Sequence, residues 1–168
     1  MIEYQIREIT DIEIEACIEV IRAAFITVAD EFGLTRENCP TNPAFIRPVH
    51  LREDRARGNR LLGMWCGSEA VGFMQLEDKG AGEYALKNVA VTPAHRHKGY
   101  GKALLDYAKQ AVRAAGGRVI KIGIIDEHKV LKAWYAANGF AHTGTKEFDH
   151  LPFTVGFMEC AVQANPQT

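Results

Sequence analysis

The 168 residues include 20 lysines and arginines against 21 aspartates and glutamates, a formal net charge of −1, and 47% of them are apolar. This balance disfavours a general nucleic-acid binder, because neutralising phosphates takes a basic excess or stripe. The length and apolar content suit a single domain over residues 1–168, with an interior large enough for a mixed sheet and its helices.

The cysteines and the N-terminus limit the class of protein further. The four cysteines are widely spaced and form no Cys-x-x-Cys pair, so we expect neither a disulfide framework nor a structural zinc site. His95 and His97 have no other ligand candidates nearby in sequence, and we expect no metal. The chain lacks the basic start and apolar core of a signal peptide, and no apolar run reaches membrane-spanning length. We therefore expect a soluble, cytoplasmic protein.

The N-terminal segment predicts one strand and two helices. Residues 2–9 alternate in polarity as a strand does, and Thr10 offers a cap for the helix that follows. Apolar residues recur at helical spacing over residues 12–24. A second helix is predicted over residues 25–32.

A loop is predicted over residues 34–43, which are rich in proline and asparagine, and another short helix over residues 44–57. Residues 60–66 and 70–76 then predict a β-hairpin. This loop lies where a substrate could enter. The candidate substrate residues are Phe32, Asn38, Cys39, Phe45 and His50.

The middle of the chain predicts a strand, a helix, a strand and a helix. The strands cover residues 83–91 and 118–125, and the helices cover residues 99–115 and 127–138. A strand, helix, strand order demands a right-handed crossover, so the two strands should lie parallel.

The last two strands, over residues 140–148 and 153–161, should close the sheet as an antiparallel pair. The order of elements thus predicts a mixed α/β sheet with one parallel pair. Neighbouring parallel strands can diverge at their C-terminal ends, and a ligand bound there would meet both the turn after Val91 and the side chain of Tyr135.

The run from Val89 to Leu105 predicts a phosphate site. Pro93 ends the strand because it has no N–H for a central ladder. Backbone N–H groups at a helix N-terminus lack intrahelical partners and carry partial positive charge, so they suit a pyrophosphate. Gly99 and Gly101 would let the backbone come close to the phosphate oxygens. A dinucleotide fingerprint would need a third glycine, where this chain has Leu104.

The predicted strand ends in a Val-x-Pro sequence. The turn after it matches the pattern Arg/Gln-x-x-Gly-x-Gly/Ala through Arg96, Gly99 and Gly101. This run resembles the acyl-CoA-binding motif of the GNAT superfamily of N-acetyltransferases. The resemblance implies a GNAT-like fold, a mostly antiparallel central sheet with one splayed parallel strand pair, flanked by helices. It also implies that the turn holds the pyrophosphate of acetyl-CoA and that the splayed strand pairs with the pantetheine arm. The implied cofactor-binding residues here are Val89, Ala90, Val91, Arg96, His97, Lys98, Gly99, Tyr100, Gly101 and Lys102.

Residues 128–140 resemble the Asn-x-x-Ala-x-x-x-Tyr-x-x-x-Gly-Phe helix of the same family. Tyr135 matches the family's general acid, which gives a proton to the coenzyme A thiolate. His128 stands where the family usually has Asn, and the resemblance assigns cofactor contacts to His128 and Lys132. A buried tyrosine in this position also fits an interfacial core aromatic whose hydroxyl reaches water.

Acetyl transfer to an amine needs a neutral nucleophile, a polarised carbonyl and a proton for the departing thiolate. Glu83, which opens the strand beside the cofactor, is a candidate base, although it also fits a solvated strand end. Glu77 and Asp78, at the exit of the hairpin, are weaker candidates, and His128 could also serve. A backbone N–H near Val89 or Ala90 would hold the carbonyl oxygen. No recognisable Cys and His pairing supports a covalent route, so direct attack in a ternary complex is expected.

We therefore expect an acetyltransferase that moves the acetyl group of acetyl-CoA, without a metal, to a primary amine of a small molecule or peptide. The alternative is a non-catalytic acyl-CoA-binding sensor or regulatory module, which would retain the turn without an acid and base. Nucleic-acid binding through residues 96–102 is disfavoured, since the patch is short and lacks interleaved aromatic residues. By analogy with this fold, whose closing strands often pair with another subunit, a homodimer is left open.

Overall fold

Seven strands and four α-helices account for most of residues 3–162, the part of the chain that the computed structural model describes. The strands are β1 (Gln5–Glu8), β2 (Arg60–Cys66), β3 (Glu69–Gly80), β4 (Glu83–Val91), β5 (Val119–Ile125), β6 (Ala141–Glu147) and β7 (Thr154–Ala161). The helices are α1 (Ile14–Phe32), α2 (Pro48–Ala56), α3 (Tyr100–Ala114) and α4 (Lys129–Ala137). The predicted start of the first strand at Ile2 lies outside the described residues.

The strands form one sheet in the order β1-β2-β3-β4-β5-β7-β6, antiparallel throughout except for the parallel pair of β4 and β5. This confirms the predicted mixed α/β sheet, including the antiparallel closing pair of β6 and β7. β4 and β5 pair only at their beginnings, where Glu83–Ala85 face Val119–Lys121. Beyond Ala85 and Lys121 the two strands separate, so the sheet opens toward their carboxyl ends.

A β-bulge in β4 accounts for this separation. Ala90 lies opposite Phe73, whereas Lys87 lies opposite Gln75, so two residues of β4 face one residue of β3 between them. One of the two is Asn88, whose φ of 54° lies in the left-handed region that asparagine tolerates better than most residues. A bulge bends its strand and increases the local twist, which moves the end of β4 away from β5.

A buried polar network holds the bulge from behind. The Asn88 side-chain amide donates to Gln75 Oε1 at 2.7 Å, and Gln75 is fully buried. Gln75 Nε2 in turn donates to Asp54 Oδ2 at 2.9 Å and to Asn59 Oδ1 at 3.0 Å. Because a buried amide is costly unless its hydrogen bonds are made, this network favours one arrangement of the strand. The end of α2 thereby supports the shape of β4.

Helices cover both faces of the sheet. α3 packs Leu104 and Leu105 on the face formed by Met64 and Ile120, all of them fully buried. On the other face, α1 and α2 pack on Phe73 in a second buried cluster. Each large apolar side chain buried in this way stabilises the fold by about 1.5–3 kcal/mol relative to an exposed one.

Two predicted helix boundaries are wrong. The helices predicted over residues 12–24 and 25–32 form the single helix α1, because neither Gly nor Pro interrupts its apolar stripe before Gly33. Gly33 then ends α1 with a φ of 65°. The helix predicted over residues 44–57 begins only at Pro48, since proline lacks an N–H and fits the first helical position.

Within residues 3–162, no three or more His, Cys, Asp or Glu side chains are grouped so that they could hold a metal ion. None of the helices in that range has both the length and the apolar character that crossing a membrane requires.

Candidate functional site

The backbone of β4 has one paired edge and one open edge near its carboxyl end. The Thr92 N–H donates to the Val71 carbonyl at 3.0 Å, and Ala90 lies opposite Phe73, so the backbone groups of Ala90 face β3. Because successive residues of a strand alternate in direction, those of Val89 and Val91 face the side from which β5 has departed. An extended ligand could add hydrogen bonds there. Ala90 was predicted to contact the cofactor and to hold the carbonyl oxygen. Its backbone groups instead face β3, away from the open edge, and the residue is 3% exposed.

The turn after β4 presents the N-terminus of α3. Gly99 caps the helix with a φ of 83°, and His97 also has a positive φ of 63°. The first intrahelical bond is donated by Ala103 to the Gly99 carbonyl, which leaves the amides of residues 100–102 without intrahelical partners. No atom lies within 4 Å of where a Gly99 Cβ would be. The turn therefore offers N–H donors and positive helix-dipole charge to an open space that suits an anion.

Gly101 has a packing role that the sequence did not predict. A Cβ at this position would lie 2.8 Å from the Trp134 ring, closer than real Cβ contacts allow. Gly101 therefore permits α4 to pack against the start of α3, rather than only letting a phosphate approach. This contact brings the helix that carries Tyr135 to the turn, as the two sequence motifs predict.

The basic side chains around the turn are mostly engaged within the protein. The Arg96 guanidinium donates to the Ala24 carbonyl at 3.0 Å and to Thr27 Oγ1 at 3.1 Å, so it ties the turn to α1. Lys102 pairs with Asp106 one helical turn later, at 2.7 Å. His97 and Lys98 are exposed, and Tyr100 is buried in the core. The Arg96 guanidinium, which was predicted to lie at the pyrophosphate, thus contacts α1 instead.

Tyr135 lies in α4 and is 6% exposed. Its ring makes edge contacts with Trp134 at 4.9 Å and Phe140 at 5.4 Å between ring centroids. Burial raises the pKa of its phenol above the ordinary value for tyrosine. The hydroxyl is protonated at neutral pH, as that of an ordinary tyrosine is, and burial makes its ionisation harder still.

His128 caps α4. Its Nδ1 accepts a hydrogen bond from the Leu131 N–H at 3.3 Å. A neutral imidazole has one lone pair, and here that lone pair is engaged, so the proton lies on Nε2. His128 can therefore offer a hydrogen-bond donor to a ligand, whereas its use as a base is blocked by the cap.

Lys132, one turn further along α4, is held by Asp126 at 2.7 Å. Asp126 also contacts His142 at 3.1 Å. The hydrogen bond from Lys132 is the main reason that the pKa of Asp126 lies below its ordinary value. The predicted cofactor contact of Lys132 thus competes with an ion pair at the base of α4.

The structure does not bring Glu83 to the open edge. Glu83 starts β4, where it pairs with Arg118 at 3.3 Å and with Lys121 at 3.2 Å. Eight residues of strand separate it from Val91, a distance of roughly 26 Å. Glu83 was predicted as the base because it begins the strand beside the cofactor. The gap between β4 and β5, however, lies at the carboxyl end of β4, the opposite end of the strand.

Three of the predicted substrate residues meet in one apolar cluster, which we call the acceptor cluster. It includes Phe32, Cys39 and Phe45, and it packs on Ile125 at the end of β5. Cys39 is 1% exposed and burial raises the pKa of its thiol, so it is a packing residue rather than a nucleophile.

Asn38 and His50 are structural. The side chain of Asn38 accepts from the Thr35 N–H at 2.8 Å and donates to the Gly33 carbonyl at 3.0 Å, which closes the loop after α1. His50 Nδ1 accepts from the Arg47 N–H at the start of α2. Neither residue belongs to the acceptor cluster.

Leu151 and Phe153, which were not predicted from the sequence, join the acceptor cluster from the loop between β6 and β7. The only signal was their apolar character in a short connection that also holds Phe148, Asp149, His150 and Pro152. Nothing local relates this loop to α1.

Comparison with known proteins defines the class. The family described as "Acetyltransferase (GNAT) domain" matches residues 57–142, half of the chain. The chain therefore belongs to the GNAT acetyltransferase family, which confirms the resemblance. It is also 33% identical over 108 residues, 64% of its length, to mycothiol acetyltransferase of Streptomyces avermitilis. The matched segment spans 28% of that relative.

Solved structures share the fold. The ribosomal-protein-S18-alanine N-acetyltransferase of Escherichia coli superposes with a TM-score of 0.77 at 13% identity, covering 99% of this chain and 98% of that one. The PaiA N-acetyltransferase of Thermoplasma acidophilum, solved in complex with coenzyme A, gives 0.74 at 21% identity, covering 95% and 99%. YncA of Salmonella typhimurium, solved with acetyl-CoA, gives 0.70 at 16% identity, covering 99% and 98%.

Proposed function

We propose that the protein transfers the acetyl group of acetyl-CoA to a primary amine by direct attack in a ternary complex. The observation that carries this proposal is the divergence of β4 and β5 beyond Ala85 and Lys121, next to the N-terminus of α3. Membership of the acetyltransferase family supports the donor, as do the coenzyme A and acetyl-CoA complexes of proteins with the same fold.

The residues present fit acetyl-CoA in two places. The backbone of Val89 and Val91 offers an unpaired edge to an extended pantetheine arm. The amides of residues 100–102 offer unpaired donors to a pyrophosphate. Bound there, acetyl-CoA supplies an activated acyl group.

The protein's own groups then polarise the thioester carbonyl and protonate the leaving sulfur. We assign the thioester carbonyl oxygen to a backbone N–H of Val89 or Val91, because these groups face the open edge. Tyr135 gives its proton to the leaving sulfur, which is basic once its bond to the acyl carbon breaks. We call the gap between the carboxyl ends of β4 and β5 the slot. Because Glu83 is distant and the lone pair of His128 is engaged, we assign removal of the amine proton to a water molecule at the opening of the slot.

The cysteines favour direct attack over a thiol-linked route. Cys17 is fully buried, and burial raises the pKa of its thiol to about 12. Cys39 is buried as well, while Cys66 Sγ lies 3.4 Å from the Tyr100 hydroxyl. None of these thiols has the cationic, accessible surroundings that make a thiolate nucleophile.

The experiment is a thiol-release assay with acetyl-CoA and a panel of primary amines, with the products identified by mass spectrometry. We expect amine-dependent release of coenzyme A and formation of the acetylated amine. Tight acetyl-CoA binding in calorimetry without release for any amine would instead support the acyl-CoA sensor.

A further inference from the structure

The acceptor cluster has a buried base and a partly exposed rim. Its base consists of Ala29, Leu34, Cys39, Ala44 and Ile125, none of them more than 9% exposed. The rim side chains are partly exposed and come from α1, the loop after it, and the loop between β6 and β7. The rim residues are Phe25, Val28, Phe32, Phe45, Leu151 and Phe153. Four of these rim side chains are phenylalanines, and a group of partly exposed aromatic rings beside a cleft is typical of a binding surface.

The cluster adjoins the proposed acetyl-transfer slot. It packs on Ile125, the last residue of β5, on the side where β4 and β5 have separated. The Phe32 ring lies 5.3 Å from the ring of His128, which caps α4. Tyr135 follows His128 by seven residues of helix, about 10 Å along the axis. A ligand on the cluster would thus have one end near the reacting groups.

The charges at the cluster disfavour a second ammonium group. The Arg36 guanidinium lies 5.0 Å over the Phe45 ring. Glu127, near the end of β5, is a nearby carboxylate that could attract an ammonium group. Both of its carboxylate oxygens already accept the Thr154 N–H, at 3.1 and 3.2 Å. A ligand with an amine at each end would place one of them near the Arg36 guanidinium, which costs free energy, whereas an aromatic ring would gain edge and face contacts.

We infer that the acceptor is a small primary monoamine whose body is aromatic or branched and apolar, and that the acceptor cluster selects it. The inference rests on the proposed acetyl transfer and adds the class of acceptor to it. The amine end reaches the slot, while the apolar body replaces water on the rim residues.

The first test compares 2-phenylethylamine with ethanolamine and putrescine in the thiol-release assay. We expect kcat/KM for 2-phenylethylamine to be higher by about tenfold or more, because a ring removed from water is worth more than a hydroxyl or a second ammonium there. Equal or better use of ethanolamine or putrescine would overturn the inference and leave acetyl transfer intact. Reaction only with peptide N-termini would also overturn it.

The second test uses Phe32→Ala, with Phe32→Leu as the milder variant. We expect Phe32→Ala to lower the ratio of kcat/KM for 2-phenylethylamine to kcat/KM for ethanolamine about tenfold, because the lost ring contacts the apolar body of the first amine only. The control is Phe148→Ala, since Phe148 lies in the same loop as Leu151 but its ring contacts Lys146 and His150 instead. Unchanged acetyl-CoA affinity in calorimetry verifies that each variant is folded.

The third measurement separates the two proposals. 2-Phenylethylamine is titrated into the coenzyme A-saturated protein and into its Phe32→Ala variant. Binding that the variant loses supports the acceptor cluster even if no amine releases thiol, in which case only the proposed acetyl transfer fails. No binding to the unsubstituted protein overturns the inference.

Discussion

The donor side and the acceptor side of the proposed site are built in different ways. The donor side comes from one stretch, residues 83–140, in which β4, α3, β5 and α4 follow each other with short signatures at the turn and around Tyr135. The acceptor side gathers residues 25–45, the end of β5 and residues 151–153. A phosphate and an extended arm can be bound by backbone groups, which a local pattern of Gly and Pro encodes. An apolar body is bound by side chains, which distant segments can supply.

The two sides are joined by a few specific contacts. Arg96 from the turn donates to the Ala24 carbonyl and Thr27 hydroxyl of α1. On the other side of β4, Gln75 links Asn88 to Asp54 of α2. The N-terminal helices therefore support the donor slot as well as the acceptor cluster.

The largest expected effect tests whether the donor side depends on the turn alone. Gly99→Glu places a carboxylate where the phosphates would bind, so acetyl-CoA affinity should fall by at least about 1,000-fold in calorimetry. The control is Gly116→Glu at the other end of α3, where φ is 82° and nothing lies within 4 Å of a Cβ, much as at Gly99. Both variants carry the same backbone strain. If they bind acetyl-CoA equally well, the turn is not the phosphate site.

The next effect separates chemistry from binding within the donor side. Tyr135→Phe should lower kcat about 100-fold and leave acetyl-CoA affinity unchanged, since it removes one proton donor and little volume. Tyr84→Phe is the matched control on β4. Because burial raises the pKa of Tyr135, the phenol should also keep its proton through pH values at which an exposed tyrosine ionises, near about 10. An unchanged kcat would remove Tyr135 from the mechanism.

A smaller effect tests the support that α2 gives to β4. Gln75→Leu removes the partner of Asn88, Asn59 and Asp54, so the free energy of unfolding should fall by about 2–3 kcal/mol in urea titrations. Acetyl-CoA binding by the folded variant should weaken, because the bulge loses its support. Exposed Gln110→Leu is the control. A Gln75→Leu variant with full acetyl-CoA affinity would show that the slot keeps its shape without the network.

The smallest effect concerns a part of the N-terminal region that should carry stability only. The hydrogen bond from Arg7 lowers the pKa of Glu13 from 4.5 to about 2. The stability from this pair is therefore present above pH 4.5 and lost as the pH falls toward 2. Since the pair is partly exposed, Glu13→Gln should cost only about 1 kcal/mol at neutral pH.

Exposed Glu15→Gln, with the same charge change, should leave the acid branch of the unfolding curve as it is. Both substitutions should leave kcat unaltered. A drop in kcat for Glu13→Gln alone would mean that this end of α1 is coupled to the site.

Much of the fold could be predicted because its signals are local. The periodicity of apolar residues predicted the bounds of β4, α3, β5 and α4 to within a few residues. The crossover rule predicted that β4 and β5 are parallel. The division of α1 into two helices failed because no local signal says how far an apolar stripe stays in contact with a sheet. The bulge at Asn88 had only a weak signal, an asparagine inside a strand.

By itself, the sequence determined which backbone groups would be free, since Pro93, Gly99 and the start of a helix dictate where N–H groups lose their partners. The tertiary structure alone decided which side chains face those groups. It directed Arg96 at α1, packed Gly101 against Trp134, left Glu83 at the far end of β4, and brought Phe153 to Phe32. The physical reason is range: a hydrogen-bonded turn is fixed by neighbours in the chain, whereas a contact between side chains depends on how whole elements pack.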